Sequence, residues 1–401
     1  MDSTSSSKLT YIPEEIVREI LLRLPAKSLV TCTAVCKSWS FLIKRCNFID
    51  AHLSRKLSFQ SNHQIVDGCQ VLVLENHTKL NLLSCYGDIL FHNPALPGGA
   101  ADYITELMNP PISNENTGFD MVQTRNGLIC LTCTKDDDIA ATDIFLWNPS
   151  IRRYVVLPRP NFIVYLKNYY NIVRHYFGYD SHTNDYKVLR CVSNHSTLVA
   201  VEIYSLARGS WKTLTASAPT YFGFGAATWP FSYWAVVNDA LHWVRPREQR
   251  GKDLVIVSFD ISTELFGEIM MPQGLRKIEH RYVDSNVWMS KHKGSIALLE
   301  CSNMFTQNSE TQLHLWVMEE YGVVESWTKL YTYSMAEYFL FSLGFNISHE
   351  HVFMLEIRKT LPPSPLKNLG IGESQKTHRG DILNFFVESL VLLGHPNAIS
   401  Y

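Results

Sequence analysis

The stretch IPEEIVREILLRLPAKSLVTCTAVCKSW, residues 12–39, determines the fold of the N-terminal part of this 401-residue chain. Its first apolar side chains recur at spacings of one, three and four residues, which is typical of one face of an α-helix. They are Ile16, Val17, Ile20, Leu21 and Leu24. Pro13 suits the first helical position, where a missing N–H costs nothing. Pro25 ends the helix, because proline disfavours helical backbone in the residue before it.

A second apolar stripe follows and predicts two or three short helices in total over residues 12–56. Its members are Cys32, Val35, Cys36, Trp39, Leu42 and Ile43. A unit of about 45 residues buries too little surface to be stable alone. Some of its apolar face must therefore meet the rest of the chain or a partner protein. Periodicity alone favours a plain helical cap on the following domain, with a helix-turn-helix as another alternative.

The same residues resemble the F-box, in the form common in plants. Ile12-Pro13 stands at the Leu-Pro position of that family, and Leu24-Pro25, Lys27-Ser28-Leu29, Val35-Cys36 and Trp39 match further signature positions. The resemblance implies docking on a Skp-type adaptor, which joins the protein to a cullin scaffold and a RING subunit. It implies adaptor contacts at Ile12, Pro13, Ile16, Ile20, Leu24, Pro25, Leu29, Val35 and Trp39. We expect Trp39 to serve both the core of this module and its interface.

The chain changes character after residue 65, where short alternating runs of apolar, β-branched and aromatic residues are broken by turn-forming residues. Four segments read as strand, turn, strand: IFLWNPSIRRYVVLP (144–158), VEIYSLARGSWKTL (201–214), IVSFDISTELFGEIMMP (256–272) and LHLWVMEEYGVVESWTKLY (313–331). The sequence predicts an all-β domain with a core separate from that of the helices.

The hairpins recur at a nearly fixed period. Aligned on the aromatic residue before each turn, they are anchored at Trp147, Tyr204, Phe259 and Trp316, in steps of 57, 55 and 57 residues. An earlier echo lies at residues 88–94 and a weaker one at 354–371. A period of roughly 56 residues in an all-β chain predicts a β-propeller of about six blades. Two stacked β-sandwiches are the alternative.

The β region also resembles the plant F-box-associated domain, which is often described as kelch-like, although the double glycines of true kelch repeats are largely absent. The matching pieces include NGLICL (126–131), FGYDSHTNDYKVLR (177–190), VNDALHWV (237–244) and VESLVLL (387–393). The predicted organisation is a flexible N-terminus at 1–10, an F-box at 11–56 and a substrate-recognition domain at 65–395. The resemblance implies capture of an unidentified protein substrate. Ubiquitin is transferred by other subunits, so no catalytic residue is expected, and the captured target gains a high effective concentration near them.

Bulk properties exclude several classes of function. The net charge of −2 does not favour binding to nucleic acid. The sequence contains no secretory signal and no run of about 18 apolar residues, so we expect no membrane span. We expect a cytoplasmic or nuclear protein whose nine cysteines are reduced.

Isolated chemical signals do not form a catalytic or metal site. Cys130 and Cys133 lack the further ligands that structural zinc needs, so two core cysteines on a strand are predicted. His242 lies within an apolar strand and is predicted to be a core histidine. Gly223-Phe224-Gly225 lacks the third glycine of a dinucleotide-binding loop. We therefore predict no metal, no cofactor and no catalytic residue.

The aromatic segment 221–234 is the predicted substrate contact, because exposed aromatic side chains are typical binding anchors. Its candidate residues are Tyr221, Phe222, Phe224, Trp229 and Phe231. The alternative is that half of them fill the blade core, and loops 98–118 and 273–285 are further candidates. Three functions remain open: a ubiquitin-ligase receptor, an adaptor-binding scaffold that degrades nothing, and a β-propeller enzyme or lectin.

Overall fold

A computed structural model describes most of the chain in segments. These are residues 12–62, 69–75, 79–85, 104–108, 110, 119–135, 138–162, 171–194, 197–214, 234–246, 254–275, 287–302, 311–335, 338–345, 351–357 and 382–401.

The N-terminal part is a bundle of four helices, which we call the helical module (residues 12–62): α1 Glu14–Leu21, α2 Ala26–Cys32, α3 Lys37–Ile43 and α4 Cys46–Asn62. Pro13 lies immediately before α1, not at its first helical position as predicted, and α1 ends at Leu21, four residues before Pro25, which immediately precedes α2. α4 continues past the expected boundary at residue 56.

The second apolar stripe does not form one helix. The chain leaves α2 at Thr33, and Cys36 adopts extended backbone with φ −157° before α3 begins. The Cys36 Sγ accepts a hydrogen bond from the backbone N–H of Trp39 at 3.5 Å. Cys36 therefore caps α3 instead of lying within a continuous helix, because its side chain satisfies an N–H that the first helical turn leaves unpaired.

The remainder is built of antiparallel sheets that follow one another along the chain. The first two comprise β1 Cys69–Glu75, β2 Lys79–Cys85 and β3 Ile104–Met108, then β4 Phe119–Arg125, β5 Leu128–Lys135, β6 Asp138–Asn148 and β7 Arg153–Val156. The third comprises β8 Asn171–Asp180, β9 Asp185–Asn194, β10 Thr197–Ser205 and β11 Ser210–Thr213. The fourth comprises β12 Trp234–Val237, β13 Ala240–Pro246, β14 Leu254–Asp260 and β15 Leu265–Met270.

The fifth sheet comprises β16 Val287–His292, β17 Ser295–Ser302, β18 Thr311–Met318 and β19 Trp327–Met335, and β20 Tyr338–Phe345 pairs with β21 His351–Ile357. Two C-terminal strands return to the start of the domain. β22 Ile382–Phe386 pairs with β1, and β23 Ile399–Ser400 pairs with β7.

The first strands of neighbouring sheets lie side by side: β22 beside β4, β4 beside β8, and β16 between β12 and β20. One antiparallel sheet for each sequence repeat is the topology of a β-propeller, whereas the connections of stacked sandwiches cross between two sheets. The all-β architecture is as predicted, and the number of blades stays a prediction.

Three of the four aromatic anchors occupy the same position. Each is the penultimate residue of the third strand in its sheet and lies opposite an aromatic residue of the fourth strand. The pairs are Trp147 with Tyr154, Tyr204 with Trp211, and Phe259 with Phe266. Trp147, Tyr204 and Phe259 are all buried, so the repeat reflects a recurring core position.

The fourth anchor, Trp316, is not equivalent to the other three. A bulge between Leu315 and Trp316 shifts the register, so that Trp316 lies opposite Lys329. Val317 is the penultimate residue of β18 and is buried at 1% exposure, whereas Trp316 is only partly buried. Trp316 therefore lies on the opposite face of the strand from the position that its spacing predicted, because successive side chains of a strand point to opposite faces. The echoes at 88–94 and beyond residue 357 lie outside the described residues.

The two ends of the sheets differ. In the four sheets between β4 and β19, short connections join the first strand to the second and the third to the fourth at one end, which we call the turn face. The turn Asn126-Gly127 is an example, with φ of 52° and 79° at its two residues, a combination that favours Asn-Gly in two-residue hairpins. The strands of successive sheets are joined at the opposite end, which we call the connection face.

The helical module packs on the turn face and shares a core with the sheets. Leu21, Leu29 and Phe48 belong to one buried cluster with Leu146 of β6 and Leu390 of the C-terminal segment. The prediction of separate cores is therefore wrong. The module is small enough that its apolar faces need a second layer, and the β domain supplies it.

Candidate functional site

The helical module exposes large apolar side chains despite its packed core. Their exposed fractions are 55% for Ile12, 51% for Ile16, 53% for Ile20, 63% for Val35 and 63% for Phe41. We call these five residues the exposed apolar set. Ile16 and Ile20 lie four residues apart and so share one side of α1. Apolar groups concentrated in a short segment in this way mark an interaction site.

The opposite side of α1 explains why these residues are left outside. Leu21 and Leu22 are buried, and Val17 and Leu24 pack against the same shared core. The helix thus already has a full inner face, and Ile16 and Ile20 cannot reach the core without exposing that face. α1 is therefore apolar on two sides, one of which is available to a partner.

Most of the predicted adaptor contacts are accessible, and some are not. The exposed ones are Ile12, Pro13, Ile16, Ile20, Pro25 and Val35. Leu24 and Trp39 are partly buried against the shared core. Leu29 is 0% exposed, so its predicted contact with an adaptor needs correction. Its side chain points from α2 into the core that the β domain completes.

Sequence reasoning missed Phe41. It falls between Trp39 and Leu42, off the apolar stripe that packs inward, and its ring is as exposed as Val35. The guanidinium of Arg45 lies 4.1 Å from the centre of the ring, a cation–π contact that holds the ring at the surface. A large aromatic residue outside the buried stripe was the available signal.

Helix α4 contacts α1 and the residues that follow it. The Nε2 atom of His52 hydrogen-bonds the carbonyl oxygen of Leu24 at 2.9 Å, and Arg55 lies 3.7 Å from the carboxylate of Glu19. His52 is fully buried, and burial lowers its pKa, so the ring is neutral. The first contact links α4 to the residues that follow α1, and the second links α4 to α1 itself at the surface.

The predicted substrate residues Tyr221, Phe222, Phe224, Trp229 and Phe231 lie outside the described residues. The strands that flank them are described: β11 ends at Thr213 and β12 begins at Trp234. Because both positions belong to the connection face, the segment leaves and re-enters the domain on the side opposite the helical module. Tyr176 lies beside its re-entry point, with ring centroids 5.1 Å from Trp234 and 5.0 Å from Trp243.

The isolated chemical groups occupy core positions. Cys130 and Cys133 are buried on β5, and burial raises the pKa of the Cys130 thiol. His242 is buried on β13, where its Nε2 lies 2.7 Å from the hydroxyl of Tyr321. Within the described segments, no three His, Cys, Asp or Glu side chains are grouped to hold a metal ion. No helix in those segments has the length and apolar character to cross a membrane.

Comparison with known families decides the identity of both parts. Residues 9–50 match the family described as "F-box domain", and residues 97–354 match the family described as "F-box associated beta propeller domain".

The chain belongs to the F-box-associated β-propeller family.

Similar curated proteins carry the same F-box designation. "F-box protein CPR1" of Arabidopsis thaliana is 29% identical over 339 residues, which cover 81% of this chain and 73% of that protein. "F-box/kelch-repeat protein At3g23880" of the same plant is 25% identical, with 90% of each chain covered. A solved puromycin-hydrolysing peptidase of Mycobacterium tuberculosis matches at 11% identity over 65% of this chain and 44% of that one. Its TM-score of 0.27 is too low to support a conclusion about fold or function.

The F-box and its associated domain thus present two different surfaces. The exposed apolar set belongs to the F-box, and the strand ends Thr213 and Trp234, which flank the predicted aromatic contacts in sequence, lie on the opposite face of the propeller domain. F-box proteins of this kind are generally receptor subunits.

Proposed function

We propose that this protein is the substrate-recognition subunit of an SCF-type ubiquitin ligase. The F-box binds a Skp-type adaptor through the exposed apolar set, and the adaptor connects the chain to cullin and RING subunits. The propeller domain holds a target protein, which is then ubiquitinated and degraded by the proteasome. The observation that carries the proposal is the apolar outer side of α1, on a helix whose inner side is already packed.

The role of the chain in this mechanism is to position its target. Holding the target beside the charged ubiquitin-conjugating enzyme replaces a slow bimolecular encounter by an effectively intramolecular reaction. The F-box packs on the turn face, so the connection face is the side available for the target. We assign the target contacts to the segment that carries Tyr221, Phe222, Phe224, Trp229 and Phe231.

The proposal includes a cytoplasmic or nuclear location, where the adaptor, cullin and proteasome are found. The exposed thiols of Cys36 and Cys46 suit a reducing compartment.

Affinity capture with the proteasome blocked tests the proposal. The full chain is compared with a variant carrying Ile16→Glu and Ile20→Glu. Deletion of residues 1–56 is a poorer control, because it would expose the shared core. We expect the full chain to retain an adaptor, a cullin and a target, and the variant to retain the target alone. A full chain that retains no adaptor would refute the proposal. A target whose abundance does not rise when this protein is removed would identify a non-degradative scaffold instead.

A further inference from the structure

The residues after β22 form a C-terminal segment, Val387–Tyr401, that packs against both the F-box and the propeller domain. Leu390, Leu392 and Leu393 are buried at 0%, 4% and 4% exposure. They belong to the same cluster as Leu29 and Phe48 of the F-box. The segment is therefore a layer of the core that the F-box uses.

Polar contacts attach this segment to the propeller domain. The Asn148 side-chain amide donates to the carbonyl oxygens of Ser389 and Val391, at 3.0 and 2.7 Å, and Arg153 donates to that of Leu393 at 3.1 Å. A side chain at Gly127 would place its Cβ 2.6 Å from the carbonyl oxygen of Val387. The segment thus has a fixed position on the turn face.

One residue of the segment reaches into the F-box. The Glu388 carboxylate accepts a hydrogen bond from the backbone N–H of Ala26 at 3.1 Å and forms an ion pair with Lys56 of α4. Ala26 is the first residue of α2, and the preceding Pro25 offers no side-chain cap. The first N–H groups of a helix need an external acceptor, and a carboxylate also interacts favourably with the helix dipole.

We infer that the adaptor-binding module is discontinuous in sequence and consists of residues 12–62 together with 387–394. Glu388 is a positioning residue, since it fixes the start of α2 against α4. α2 carries Leu29 into the core and leads directly to the exposed Val35. A loosened α2 therefore changes the surface that the adaptor meets, although Glu388 does not touch it. The expected effect on adaptor binding rests on the proposed function.

Three variants of the full chain test this inference. Glu388→Ala removes both contacts, Glu388→Gln keeps an oxygen acceptor for Ala26 but removes the charge, and Lys56→Ala removes the ion pair alone. Hydrogen exchange of the free protein measures how readily α2 opens. Titration with a purified Skp-type adaptor measures the affinity of the surface that binds it.

We expect Glu388→Ala to speed amide exchange in α2 about fivefold, the effect of losing one helix cap, and to weaken adaptor binding measurably. Glu388→Gln should retain most of the protection of the α2 amides and most of the adaptor affinity. Lys56→Ala should change both quantities only slightly. Exchange in β13 and β14 should not change in any variant. A global loss of structure would instead speed exchange in those strands.

Unchanged α2 exchange in Glu388→Ala would overturn the inference. Faster exchange with unchanged adaptor affinity would overturn the positioning role. If the unmodified chain does not bind the adaptor, the proposed function fails, and α2 exchange still decides whether the C-terminal segment completes the F-box.

Discussion

The side-chain amide of Asn148 donates to the carbonyl oxygen of Val391 at 2.7 Å, which joins the end of β6 to the segment that supports the F-box. The same amide donates to Ser389, and its Oδ1 accepts from the backbone N–H of Ser150 at 3.0 Å. Asn148 is fully buried. One side chain therefore links a propeller turn to the layer beneath α2.

Replacement of Asn148 by alanine should destabilise the protein. It leaves two buried carbonyl oxygens without their donor, and each such group costs about 1–3 kcal/mol. We expect the free energy of unfolding to fall by about 3 kcal/mol in chemical denaturation. Asn161→Ala is the matched control, because Asn161 is exposed and makes one 3.4 Å contact with Trp211. Equal effects of the two substitutions would contradict the role of Asn148.

Charges on the outer side of α1 should abolish adaptor binding. Ile16→Glu combined with Ile20→Glu places two carboxylates where a desolvated apolar contact is expected, at a cost of at least about 2 kcal/mol, or roughly thirtyfold in affinity. The melting temperature should not change, because both side chains are more than half exposed. Leu265→Glu introduces a charge at an equally exposed apolar residue of β15 and should leave adaptor affinity intact. Tight binding by the folded double variant would exclude α1 from the interface.

Substitutions at Leu29 and Val35 should distinguish a residue that stabilises the fold from a residue that contacts the adaptor. Leu29→Ala creates a cavity in the shared core and should lower the free energy of unfolding by about 2–5 kcal/mol. Val35→Ala removes an exposed side chain and should change stability by less than about 0.5 kcal/mol while weakening adaptor binding. Denaturation and binding titrations measure both. A stable Leu29→Ala variant with reduced adaptor affinity would restore Leu29 to the interface.

Residues 12–62 in isolation should form little stable helix. Their inner apolar faces contact Leu146 and Leu390 in the full chain, and short helices without tertiary packing are marginal in water. Circular dichroism should show weak helicity without a cooperative melting transition. Addition of the adaptor should raise the helicity by covering the outer side of α1. A cooperative transition in the free segment would show that the F-box has a sufficient core of its own.

Acidification should destabilise the propeller domain through His242. Burial lowers the pKa of His242 to about 4 from an ordinary value of 6.5. The unfolded chain therefore binds a proton between these values that the folded chain does not bind. The contribution of His242 to the free energy of unfolding is fully present above pH 6.5 and decreases as the pH falls towards 4. At pH 5 about 2 kcal/mol of it is lost.

His242→Gln isolates this contribution, because glutamine can still hydrogen-bond the Tyr321 hydroxyl but does not titrate. The difference in unfolding free energy between pH 7 and pH 5 should be smaller in this variant by about 2 kcal/mol. An identical pH dependence in both proteins would show that His242 does not remain neutral in the fold.

Local patterns predicted the elements that depend on neighbours in sequence. The spacing of Ile16 to Leu24 predicted α1, although the helix ends at Leu21 and not at Pro25, and the alternating runs predicted the paired strands. The position of Trp316 could not be predicted, because Val317 takes the penultimate place in β18, and a difference of one residue along a strand puts the side chain on the other face. Leu29 was assigned to a surface because its core partners, such as Leu390, come from the far end of the chain.

The candidate site was predictable to a similar degree. The F-box resemblance predicted its exposed members on α1, whereas spacing alone placed Ile16 and Ile20 on one face with the buried Leu21. The contribution of Glu388 depends on a contact that no local pattern encodes. The stretch VESLVLL was recognised only as part of a family resemblance. Its function as a layer between the two parts requires the tertiary structure.

The pairing of β22 with β1 has a consequence for biosynthesis. Gln70 near the start of the domain pairs with Phe386, so the first sheet stays incomplete until almost the whole chain has left the ribosome. The layer that completes the F-box core is translated later still. Domains fold during synthesis as their residues become available, and here both parts wait for the same final residues. On the proposed function, we therefore expect chains that stop before residue 394 to bind the adaptor weakly.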